Sequence, residues 1–167
     1  MRFRFILATA LALVGSAFAA DKAPKPRQIR LPNAAGHARS SGAVLVGGTL
    51  YISGRIGLDP KSGKLPADID QEARNLLNDF TAVLAKAGMS ADNVVNIQVF
   101  CPDTSLFNRW NSVYRSYFKK DFPRDSFINS SPLLRNAHFE LQGAAMRGGT
   151  DAFKKRRLSV TSGPAGD

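Results

Sequence analysis

Cysteine is almost missing from this sequence: among 167 residues Cys101 is the only one. A single thiol excludes an intramolecular disulfide framework and any metal site built from several cysteines. Histidine is nearly as scarce. His37 and His138 lie far apart in the chain with no second ligand-type residue spaced near either, so the sequence holds no metal-binding pattern. A glycine-rich phosphate loop between a strand and a helix is also missing, since Gly47-Gly48 joins two strand-like runs, and so is a nucleophile elbow. Cys101 closes an apolar run and reads as a buried, inert thiol. Acidic residues are few, 13 against 23 Lys and Arg, for a formal charge of +10. Part of that excess sits in Lys154-Lys155-Arg156-Arg157, where solvated surface charge is the simpler reading and nucleic acid is not an expected partner. A long hydrophobic run occurs only in MRFRFILATALALVGSAFAA at the start. Its two arginines, short apolar stretch and Ala17-Phe18-Ala19 site predict a signal peptide over 1–19 and an exported, periplasmic product. The apolar part falls short of the roughly 20 residues that a membrane span needs.

What remains is enough for one domain. Residues 20–36 are rich in Pro and Lys without periodicity, which predicts an extended or disordered lead-in, and 148–167 reads as a basic disordered tail. Between them, Ala43–Val46 and Thr49–Ile56 flank Gly47-Gly48 as a hairpin. A helix begins at Asp68, with Gln71 in the reciprocal capping position and a stripe from Ile69 through Ala73, Leu76, Leu77, Phe80, Val83 and Leu84 to Ala87; Gly88 stops it. Val94–Phe100 alternates as a strand with one buried face. Asp103 to Ser105 caps a second helix whose stripe is Leu106, Trp110, Val113, Tyr114 and Tyr117. Two strands follow, over 126–130 and 138–146. The order β-β-α-β-α-β-β predicts an α+β layer with two helices on one face of a sheet.

Several short motifs occur together in this order: Ser53-Gly54-Arg55-Ile56, the loop from Pro60 to Gly63, Gln71 to Asn78, Ala87-Gly88, Asp92 to Asn96 and Val99 to Asp103, continuing through Phe107, Asn111, Tyr114 and Phe118. Over 37–147 the chain resembles the YjgF/Rid family, the reactive intermediate deaminases. The resemblance implies a chorismate-mutase-like fold assembled as a homotrimer, with small-ligand clefts between subunits and no metal or cofactor. It also implies hydrolysis of enamines and imines derived from amino acids, with a forked arginine on the fourth strand holding the substrate carboxylate.

In FPRDSFINSS, aligned without gaps, the family arginine falls on Asp125, and Arg124 falls one residue early. Successive side chains alternate across a strand, so the two charges take opposite faces and the cleft is expected to receive a carboxylate. Ser53 and Glu140 match cleft residues by the resemblance, the glutamate as the group that positions the attacking water. Ser40 stands where a tyrosine is usual, and Phe127 where a small residue is usual, narrowing the cleft. Arg55 replaces a common glutamine. Alternation puts it on the face of Ser53, where it returns a positive charge to the site or pairs with Asp125 as a partly exposed ion pair. The resulting expectation is a small polar or amine-bearing ligand, with imino-acid deaminase activity weakened or lost. The alternative is an active deaminase that uses Arg55 or Arg124 for the carboxylate.

Overall fold

The computed structural model describes residues 23–31, 42–119 and 122–148. The predicted leader, the basic tail and Ser40 lie outside the described residues. Strands β1 (Arg27–Ile29), β2 (Ala43–Val46), β3 (Thr49–Ile56), β4 (Val94–Cys101), β5 (Arg124–Asn129) and β6 (Glu140–Met146) form one sheet, ordered β1-β2-β3-β6-β4-β5. All neighbours are antiparallel except β4 and β5. A parallel pair cannot be joined by a tight turn, and α2 (Phe107–Tyr117) supplies the crossover. The other helix is α1 (Ile69–Lys86).

Both helices pack on one face. Leu50 and Ile52 of β3, Ile97 and Val99 of β4, and Leu141 and Ala145 of β6 share a core with Leu76, Phe80 and Leu84 of α1 and Trp110, Val113 and Tyr114 of α2. Each strand therefore shows its alternate residues to the other face, which carries no helix among the described residues. Asp68 caps α1 through a bond from Asp70 N at 3.1 Å, while Gln71 donates to Asn75 Oδ1 at 2.8 Å and does not close a capping box. Gly88 ends the helix at φ +73°, a conformation glycine takes without strain. Asp103 caps the turn into α2 by accepting from Ser105 N at 2.9 Å.

The sequence boundaries need three corrections. Residues 27–29, read as part of an unstructured lead-in, form an edge strand that pairs with β2 and buries Ile29 beside Ala43. One apolar residue in a polar stretch gives no periodicity to detect. β5 begins at Arg124, not at 126. β6 begins at Glu140, not at 138, because the preceding amides are claimed elsewhere. The fully buried carboxylate of Glu72 on α1 accepts from His138 N at 2.8 Å and from Phe139 N at 3.2 Å, and its second oxygen meets His138 Nδ1 at 2.7 Å.

Helix α1 reaches this position because Gly57, just past β3, has no side chain. A Cβ there would lie 2.1 Å from the Glu72 carbonyl oxygen. Gly57→Ala is expected to lower stability by about 2 kcal/mol or more through overpacking against backbone. Gly48→Ala, where the nearest atom would be 3.9 Å away, should stay within about 0.5 kcal/mol of wild type. Urea midpoints of the two variants check the contrast.

Candidate functional site

The alternation of β3 breaks once. Ile52 pairs with Gly143 and Arg55 with Leu141, so Ser53 and Gly54 together oppose Gln142. Two residues against one make a β-bulge. Paired residues share a face, which puts Ser53 with Gln142 on the helix-free face and returns Arg55 to the helix side. Glu140, two residues from Gln142, also lies on the helix-free face. Its carboxylate rests in the notch left by Gly54, where a Cβ would come within 2.1 Å of Oε1. Beyond it, Gln142 Nε2 donates to Gln98 Oε1 of β4 at 2.7 Å. Ser53, Glu140, Gln142 and Gln98 form a polar row across three strands.

The expectation for Arg55 is overturned. It is 3% exposed, its Nε is bonded to Asp79 Oδ2 of α1, and its Nη1 crowds Gly42. It does not share a face with Ser53 and does not pair with Asp125. The bulge is the reason, because the extra residue reverses the parity that simple alternation assumes.

On β5 the two charges of FPRDSF separate as alternation requires. Arg124 lies beside Asn96 and Ser126 beside Gln98, on the helix-free face; Asp125 lies beside Ile97 and Phe127 beside Val99, on the helix side. Arg124 shares the face of Glu140 but not its neighbourhood. Two strand spacings and four residues along the ladder put them roughly 16 Å apart. Asp125 is exposed at the sheet edge, and Phe127 meets Phe107 of α2 edge to face at 5.3 Å. Phe107 is itself 44% exposed, and nothing in the α2 stripe marked it out. The Tyr114 hydroxyl lies buried without a partner among the described residues. Burial, and after it the charge of Asp125, raises its pKa.

The expected site residues therefore fall into two separate groups within one chain. Ser53 and Glu140 come together on the helix-free face, and Asp125 and Phe127 stand together on the helix side. Glu72 and His138 were missed by the sequence reading. The available signal was a glutamate next to Ala73, inside an apolar stripe at helical spacing. No group of three or more His, Cys, Asp or Glu that could hold a metal occurs among the described residues.

Cys101 is buried, and its thiol donates to the Asp103 carbonyl at 3.0 Å. Burial is the leading cause of a pKa above its ordinary 9.0. The native thiol should resist iodoacetamide at neutral pH and react once the chain is unfolded in urea. Both Cys101 and Tyr114 have raised pKa values, so their contribution to stability is complete below the unfolded values of 9.0 and 10.0. The unfolded groups ionise first as pH rises, and urea midpoints should fall with pH above 9.0.

Comparison with known proteins fits this geometry. The family model described as Endoribonuclease L-PSP matches residues 31–147. A 2-iminobutanoate/2-iminopropanoate deaminase of Homo sapiens is 38% identical over 109 residues, 65% of this chain and 80% of the relative. The YjgF gene product of E. coli superposes with a TM-score of 0.68 at 29% identity, covering 72% of this chain and 98% of the other. A Rid-family protein of Yersinia pestis superposes with a TM-score of 0.69 at 30% identity, covering 73% and 99%. With its α+β mixed sheet, its two helices on one face and a family match over most of its length, the chain belongs to the YjgF/Rid family.

Proposed function

We propose that this is an exported Rid-family protein that binds a small polar or amine-bearing ligand in clefts completed between copies of the chain, with imino-acid deamination weakened. The observation that carries the proposal is the β5 register. Asp125, at the position where the resemblance expects the carboxylate-binding arginine, takes the helix-side face beside Ile97 and Phe127. Ser53 and Glu140 occupy the opposite face, so no small ligand reaches both pairs within one chain. A second copy that presents its Asp125 edge to the Ser53 and Glu140 notch completes the site, and a trimer closes the arrangement. In such a cleft Glu140 holds the attacking water or a ligand amine. Asp125 repels a substrate carboxylate, since like charges about 4 Å apart cost about 4 kcal/mol at the dielectric of a partly exposed site.

A second reading is an active deaminase, and the relatives at 35–38% identity that carry the deaminase name favour it. In that reading Arg124 must supply the fork, because the Arg55 guanidinium is buried and paired with Asp79.

A semicarbazide-trapping assay with freshly generated 2-iminobutanoate and 2-iminopropanoate separates the two. Wild type should be slow and Asp125→Arg faster by at least about tenfold, which corresponds to ~1.4 kcal/mol of transition-state stabilisation recovered. A rapid wild type that Arg124→Ala abolishes would establish the second reading instead.

A further inference from the structure

Away from the polar row, a cavity of about 190 Å³ opens between the start of α2 and the β5–β6 connection. Pro102, Leu106, Pro132, Leu133 and Ala137 make its walls largely apolar, and His138 is its one imidazole. The volume equals about six waters, on the scale of a cavity that accepts a single aromatic ring.

The polar chemistry of the cavity is fixed by Glu72. Its Oε1 is committed to two backbone amides, and its Oε2 faces His138 Nδ1 at 2.7 Å. A carboxylate can only accept from the ring nitrogen that faces it, so the tautomer that fits Glu72 carries its proton on Nδ1 and its lone pair on Nε2. The carboxylate is wholly buried while the imidazole is 41% exposed, which makes the Nε2 edge the accessible one. The cavity thus holds a pre-oriented hydrogen-bond acceptor against an apolar wall. The backbone beside it is strained, with Arg135 and Asn136 consecutive non-glycine residues at φ 59° and 58°. Arg135 is held there by donating through Nη1 to the Gly63 carbonyl at 2.9 Å. Strain of this kind collects where a fold shapes a ligand clamp. The Asp103 carboxylate, engaged with Ser105 N, adds negative potential at the rim and disfavours an anionic occupant.

We propose that this cavity binds a small monocyclic phenol, with the ring against Leu106 and Leu133 and the hydroxyl donating to His138 Nε2. The site is separate from the Ser53, Glu140 and Asp125 positions and stands or falls without them.

The test is ligand-observed NMR on the full chain, with phenol against anisole, a ring of similar shape that lacks the donor. Wild type should bind phenol about fivefold more tightly than anisole, the ratio given by one neutral hydrogen bond. His138→Leu should abolish the preference while leaving both rings weakly bound. Glu72→Gln can keep the two backbone bonds through its carbonyl while its amide donates to Nδ1, moving the ring proton to Nε2. The preference for phenol should then fall to parity or invert. The chain has two histidines, so the imidazole ¹⁵N shifts, assigned with His138→Leu, report the tautomer directly. Equal affinity of wild type for the two rings would overturn the proposal. Absence of binding at millimolar concentration, or a preference that survives His138→Leu in a variant that melts like wild type, would do the same.

Discussion

The buried carboxylate of Glu72 holds together the parts of this fold that matter for its chemistry. It sits on α1, which is packed against the end of β3 at Gly57, and it binds the two amides that lead into β6. Those amides have no ladder partner. Were the carboxylate replaced by an apolar side chain of similar size, the packing would survive but two buried donors would be left unsatisfied, and that penalty exceeds what one ordinary hydrogen bond contributes. Asn75, one turn further along the helix, reaches the Gly57 carbonyl at 3.5 Å and strengthens the same junction. Glu140 begins immediately after the clamped pair, so its placement over Gly54 depends on where Glu72 fixes the chain.

The second constraint is parity. One extra residue in β3 sends Arg55 under α1, where its charge is compensated by Asp79, and leaves Ser53 on the open face. An arginine as buried as this is tolerated only with a close partner, and the bulge delivers it to one. In β5 no bulge intervenes, so the parallel register with β4 separates Arg124 from Asp125. The two strands show why a charge in the sequence does not by itself name a site. Its effect depends on the face it reaches, and an irregularity a few residues away can reverse that face.

The legible parts of the sequence were those with dense local signals. The stripes of α1 and α2 repeat over several turns, and Gly47-Gly48 between two strand-like runs leaves little but a hairpin. Ser53 and Glu140 could be brought together only through the resemblance, since nothing local links residues so far apart. Two features left no usable trace, and a third left only a faint one. β1 contributes one buried side chain, Ile29, and a strand needs two or three to show a period. The bulge at Ser53-Gly54 leaves an alternation that still looks regular when written out. Glu72 stands inside the apolar stripe of α1, but that position does not name its partners, which come more than sixty residues later.

The open sheet face sets the terms for any assembly. Tyr51 is 57% exposed there, with Ala144 opposite it in the register, and covering the ring would remove apolar surface from water. The polar row through that face does not by itself prevent burial, because Gln142 Nε2 already donates to Gln98 Oε1 and only neutral amide groups are left to find partners when water leaves. Glu140 is different. Under the assembly proposed above, its carboxylate would pass into a region of lower dielectric beside Gly54, where a charge needs a donor. A bound water or a ligand amine meets that need, so the residue that most resists a dry interface is also the one able to hold a ligand within it.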